Sequence, residues 1–189
     1  MVFQIKRDKE NNFKLLEIAP RISGTMGLSR NKGINFPLLS LFNSEKIDVH
    51  INSNKFNIEV DRALISRYHL NINYDTVYVD LDDTLIVDGK INNILLMFLY
   101  QALNYGKVII LISKHDRDIN NTLNKYKINE GIFSDIIHLK KGDNKAEHIK
   151  SDGAIFIDDS FAERENVSKY LDIPVFDCSE VEALIDWRR

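Results

Sequence analysis

Thr76-Val77-Tyr78-Val79-Asp80-Leu81-Asp82-Asp83-Thr84-Leu85 is the stretch on which the fold turns. Thr76 to Leu81 reads as a buried strand, and it runs straight into three carboxylates within four residues. Moving outward, Val108 to Ile112 is a second apolar strand and Ala154 to Ile157 a third, the latter ending on Asp158-Asp159. Ile136 to Leu139 and Val175-Phe176 are shorter candidates. Helical patterns lie between them. Ile94 to Leu103 is apolar nearly all round and stopped by Gly106, which predicts a buried helix with a glycine near its C-cap. Ile119, Leu123 and Tyr126 mark one face of the next helix, Ala146 to Ile149 begins another, and Ala162 to Tyr170 is a further one. Strands alternating with helices imply a parallel sheet covered on both faces.

The expected fold class is therefore α/β, a Rossmann-like three-layer parallel sheet, preceded by a small β-rich segment. In such sheets ligands bind beyond the carboxyl ends of the strands, where both acidic clusters fall. Carboxylates so crowded repel one another unless a positive charge sits among them. A hard cation such as magnesium, bound by oxygens and shared with a phosphate, is the natural guest. For a single acidic pair, acids that merely begin a loop would be the better reading. Two clusters ending two buried strands favour a site.

Asp80-Leu81-Asp82-Asp83-Thr84 resembles motif I of the haloacid dehalogenase superfamily, an Asp-x-Asp-x-Thr signature after an apolar strand. Ser113, closing its strand, resembles that family's motif II serine or threonine; Lys145 resembles the motif III lysine; Asp158-Asp159 resembles the motif IV acidic pair. The ordered set covers roughly Thr76 to the carboxyl end. The resemblance implies a magnesium-dependent phosphatase cleaving a phosphate monoester through an aspartyl-phosphate. Asp80 would be the nucleophile, and Asp82 the acid and base that serves the leaving oxygen and then water. Ser113, Lys114 and Lys145 would bind the phosphate, Lys145 also screening charge. Magnesium would be held by Asp80, the backbone carbonyl of Asp82, and Asp158, with Asp159 supporting that shell or holding Lys145. Thr84 is expected to pack and bond within the motif loop, His115 and Asp116 to lie on a loop surface, and Glu163-Arg164 to form an exposed helix start. The intervals from Asp80 to Ser113 and from Ser113 to Lys145 are 33 and 32 residues, which leaves no room for a large cap domain.

The first part of the chain reads differently. Phe3 to Ile5 and Phe13 to Glu17 look like strands joined by the polar turn Lys9-Glu10-Asn11-Asn12. Gly24, Gly27 and Gly33 punctuate a loop before the apolar stretch Phe36 to Phe42. Ile47 to Ile51 and Phe56 to Val60 alternate polar with apolar, as a hairpin would. Leu15-Leu16-Glu17-Ile18-Ala19-Pro20-Arg21 resembles the end of an ATP-grasp ligase domain, whose last strand carries Glu-x-Asn-Pro-Arg. Gln4 matches another residue often near that family's metal. Ala19 stands in place of the metal-binding Asn, and a methyl group cannot coordinate a cation. ATP binding through Glu17 and Arg21 is therefore not expected. The segment is read as a remnant, or as a piece completing a separate ligase chain. The domain division expected is 1–70 and 71–189, with a soft boundary between Ser44 and Asn73.

Composition narrows the classes further. Net charge is −3 and the sequence pI about 6.0, so sequence-independent nucleic-acid binding is not expected. A lone cysteine, Cys178, excludes an internal disulfide framework and fits a reducing cytoplasm. No apolar run approaches the ~20 residues of a membrane span, and Lys6, Arg7 and Lys9 are not followed by the apolar core of a secretory signal. The expected partners are a phosphorylated small molecule or larger phosphoester, and either a second copy of the chain or an ATP-grasp ligase. A phosphotransferase and a non-catalytic ligase accessory are the alternative readings.

Overall fold

The computed structural model describes residues 2–51, 53, 55–58, 65, 67–68 and 70–187, and the chain divides into two compact units, residues 1–65 and 66–189. In the first unit, β1 (Val2–Arg7) pairs antiparallel with β2 (Phe13–Ala19). Register shifts between Gln4 and Ile5, which leaves Leu16 as the extra residue of a bulge. The turn between the strands closes on Asp8, whose carboxylate accepts from the backbone N–H of Glu10 and Asn12. Two helices follow, α1 (Gly27–Asn31) and α2 (Phe36–Ser44), so the glycine-punctuated stretch holds a helix as well as a loop. Asn35 caps α2 by accepting from the Leu38 N–H. The hairpin expected over 47–60 is not formed at Ile47 to Ile51 or at residues 56–58; Asn52, Asn54 and residues 59–60 lie outside the described residues. Ala19 is the one buried hydrophobic among the described residues of this unit.

The second unit is a five-stranded parallel sheet in the order β7-β6-β3-β8-β9. Its strands are β3 (Thr76–Val79), β6 (Val108–Ser113), β7 (Asp135–His138), β8 (Ala154–Ile157) and β9 (Val175–Phe176). A two-stranded hairpin, β4 (Ile86–Val87) and β5 (Lys90–Ile91), stands apart from it. The helices are α3 (Asn93–Asn104), α4 (Ile119–Lys125) and α5 (Phe161–Leu171). The α/β class read from the sequence is the class observed.

The strands alternate sides with a period of two. Val77, Val79, Ile109, Leu111, Ile155 and Ile157 face α3 and α4 through Leu95, Phe98, Leu99, Ala102, Ile119 and Leu123. Tyr78, Ile112 and Phe156 face the other way, with Val167 of α5, Ala146 and Ile149. The chain moves outward from β3 to β6 and β7, then returns to the far side of β3 for β8 and β9. That reversal opens a crevice at the carboxyl ends of β3 and β8.

Two helical expectations are corrected. Ile94, Met97 and Tyr100 leave one face of α3 substantially exposed, so the helix is buried on one side rather than all round. Ala146 to Ile149 does not begin an α-helix: Lys145–His148 is a single 3₁₀ turn, and Ile149 is already extended. Only a few residues separate that turn from β8, too few for an α-helix to close. Among the described residues no helix is long and apolar enough to cross a membrane.

Candidate active site

Asp80 is the first residue past β3, and the strand's pairing continues into it, its N–H donating to the Ile157 carbonyl at 3.0 Å. Asp158 is likewise the first residue past β8. Adjacent parallel strands thus deliver two buried carboxylates to one place. Lys145 reaches between them: its Nζ lies 2.7 Å from Asp80 Oδ1 and 2.6 Å from Asp158 Oδ2, and all three side chains are buried. Ser113, the last residue of β6, is buried on the other flank, and its hydroxyl favours the ionised form of Asp80.

The electrostatics follow from burial. Asp80 is pushed above its ordinary value by loss of water, against the pull of Lys145, Ser113 and the Leu81 N–H. Asp158 is pushed up to about 6, by burial first and then by the charge of Asp80. Burial alone would lower Lys145, but the two carboxylates outweigh it and hold the ammonium above its usual range. Burial is the larger cause in both acids, and the one ammonium between them does not offset it.

Asp159 adds a third carboxylate to the pair. Carboxylate oxygens of Asp80, Asp158 and Asp159 lie within 4.8 Å of one another. Ligands around a magnesium ion at ~2.1 Å stand about 3–4 Å apart, so the cluster needs only slight contraction to fit one. Its ligands are all oxygens and its net charge is strongly negative, and both features suit a hard divalent cation. The loop is built to hold this shape. Thr84 is fully buried; its hydroxyl donates to Asp159 Oδ1 at 3.1 Å and accepts from the Asp159 N–H at 2.9 Å. Asp83 turns the chain in the left-handed region at φ 52°.

Asp82 stands apart from the cluster. Its half-exposed carboxylate accepts from His115 Nδ1, at 2.7 Å to Oδ2 and 3.0 Å to Oδ1. A groove of about 420 Å³ beside it is lined by Asp88, Gly89, His115, Arg117, Lys125 and Tyr126, among others.

Four readings change here. Lys114 gives its ammonium to Glu163 at 2.5 Å and is not gathered into the buried group. Lys145 is held by Asp158, not by Asp159. Arg164 is mostly buried rather than exposed: it donates to the carbonyls of Asp158 and Asp159, both at 2.7 Å, and pairs with Asp177 at 2.9 Å. It thereby clamps the backbone that carries two of the acids. His115 is not a loop-surface residue either, since its side chain is 10% exposed and bonded at both ring nitrogens. Position alone, two residues past a strand end that carries Ser113, was the only sequence signal for it.

No curated protein matches the chain. Among solved structures, an uncharacterized protein from Corynebacterium glutamicum is 12% identical at a TM-score of 0.41, over 55% of this chain and 83% of its own. The N-terminal part of a Bacteroides fragilis protein, containing a phosphatase domain complexed with Mg, is 18% identical at a TM-score of 0.43, over 61% of this chain and 42% of its own. The core domain of a candidate phosphoglycolate phosphatase from Streptococcus pneumoniae is 16% identical at a TM-score of 0.42, over 56% of this chain and 80% of its own. For the first part of the chain, residues 1–72 match the model of the family described as ATP-grasp in the biosynthetic pathway with Ter operon, as the resemblance of the first strands implied.

Proposed function

We propose that this chain is a magnesium-dependent phosphatase that cleaves a phosphate monoester through an aspartyl-phosphate on Asp80. The observation that carries this reading is the buried group itself: Asp80 and Asp158 bridged by Lys145, with Asp159 beside them and Ser113 on the flank. Burying three such charges is costly and does little for stability that apolar side chains would not do better. Perturbed carboxylates gathered in a crevice are the usual mark of a site.

The chemistry assigns each group a task. An Asp80 carboxylate oxygen attacks phosphorus, the bond to the leaving oxygen breaks, and Asp82 supplies the proton that oxygen needs. Asp82, now ionised, takes a proton from water as that water attacks the acyl phosphate, which returns Asp80 and frees phosphate. Lys145 keeps its charge beside Asp80 throughout, and Ser113 offers a donor to the phosphoryl oxygens. Magnesium, when bound by Asp80, Asp158 and the Asp82 carbonyl, with Asp159 in support, would neutralise the charge of the transferring group.

The test is phosphate release from an aryl phosphate with and without magnesium. Turnover should require the metal, and Asp80→Asn should lose essentially all of it with the fold unchanged, because an amide does not attack phosphorus. Retention of most activity by that variant would remove Asp80 from the mechanism.

A further inference from the structure

We infer that His115 is a positioning residue for phosphate-ester cleavage: it orients the Asp82 carboxylate toward the leaving oxygen, an assignment that rests on the phosphatase reading above. Asp82 has little else to orient it. Its side chain is 52% exposed, and it sits in a loop, where rotamers interchange freely in water. The side-chain hydrogen bond that meets it comes from His115; with the ring as the Nδ1–H donor, one carboxyl oxygen accepts and the other is left for the proton that Asp82 delivers.

His115 is itself fixed from three directions. It follows β6 by two residues. Its Nε2 meets the Thr122 hydroxyl of α4 at 2.7 Å, and that hydroxyl also lies 3.1 Å from the Asp118 carbonyl. Its own carbonyl accepts from His138 Nε2, at the end of β7, at 2.7 Å. A residue whose backbone is tied to two strand ends and whose ring is tied to a helix thus transmits their rigidity to an otherwise free carboxylate. That carboxylate and the ring line the same groove, two residues along the loop from Asp80, and the assignment places the leaving group there. A general acid must be held within hydrogen-bond reach of the atom it protonates.

Leaving-group chemistry separates this role from simple support of the fold. Nitrophenolate departs without a proton, whereas an alkoxide does not. His115→Ala should lower kcat/KM for an alkyl phosphate such as n-butyl phosphate by about tenfold or more, part of the ~10²–10⁴ that general acid help is worth. For p-nitrophenyl phosphate, kcat/KM should change by less than about threefold, because it reports only the steps through departure of the leaving group. His115→Asn, whose amide N–H stands near the place of Nδ1, should restore most of the alkyl activity. In an Asp82→Asn background, His115→Ala should cost nothing further. If His115→Ala does not fold, Thr122→Val, which removes only the far anchor, serves for the same comparison and should show the same selectivity with smaller size. Equal losses on the two esters, or additive losses in the Asp82→Asn background, would overturn the assignment. Failure of the unaltered protein on both esters would instead overturn the phosphatase reading, and this assignment with it.

Discussion

Lys145 is the one buried cation among the described residues, and it is shared between two buried acids that each favour it. The arrangement is not symmetrical. Asp158 is the acid whose ionisation is raised to about 6, by burial and by Asp80, so near neutral pH it stays charged against both. Asp158→Asn removes that like charge and leaves Lys145 its bond to Asp80, while its single amide oxygen keeps one of the two bonds that Asp158 accepts, from Lys145 or from the Ser160 N–H. In the presence of a chelator the variant should melt at the same temperature as the parent or higher. The parent should gain stability from magnesium, by about 2.7 kcal/mol at a hundredfold excess over its Kd, and the variant should gain almost none. Thermal melts with and without magnesium check both halves, and a variant several degrees weaker in chelator would mean that attraction to Lys145 outweighs the crowding. At this scale much was legible. Asp80, Ser113 and Asp158 each follow an apolar run, so the strand that makes them also places them. The bond from His115 to Asp82 was not, because residue types carry no rotamers and the path of α4 decides which side chain meets the carboxylate.

Helix α3 shows how the secondary structure is tied to the site. Asn92 caps it, accepting from the Leu95 N–H at 3.1 Å, and its Nδ2 donates to the Thr84 carbonyl at 3.2 Å. Its backbone N–H donates to the Leu85 carbonyl at 2.9 Å. One residue thus starts the helix and fastens the loop that follows Asp80. Asn92→Ala should cost about 1–2 kcal/mol, read from urea midpoints. Turnover should fall as well, since Thr84 anchors Asp159. Strand and helix order was readable because hydrophobic period changes from two to 3.6 between segments. The β4–β5 hairpin escaped because its strands are two residues each, too short to show a period. Its turn did leave a signal: Asp88-Gly89, both at positive φ, is the pair that a tight hairpin favours.

The whole chain divides its apolar residues unevenly. Both hydrophobic clusters lie beyond residue 69, whereas residues 1–65 bury Ala19 alone among their described hydrophobics and leave Phe3, Phe13 and Leu16 about 60% exposed. Residues 66–189 expressed alone should fold cooperatively and keep the magnesium-dependent chemistry. Residues 1–65 alone should show no cooperative melt by circular dichroism, for a unit that size needs a core to offset its chain entropy. In the intact chain we propose that the exposed strands pack against a second copy or a ligase subunit. Light scattering before and after deletion of residues 1–65 checks this, with an unchanged monomer counting against it. Synthesis runs in one direction, so the coreless unit leaves the ribosome ahead of the one that can fold. At about 5–20 residues per second, the rest takes on the order of ten seconds to follow. Throughout that interval the bulged pair of apolar strands would stand in water with nothing folded behind it, so a partner waiting at the ribosome would have the first opportunity to claim it, before either a sibling chain or an aggregate.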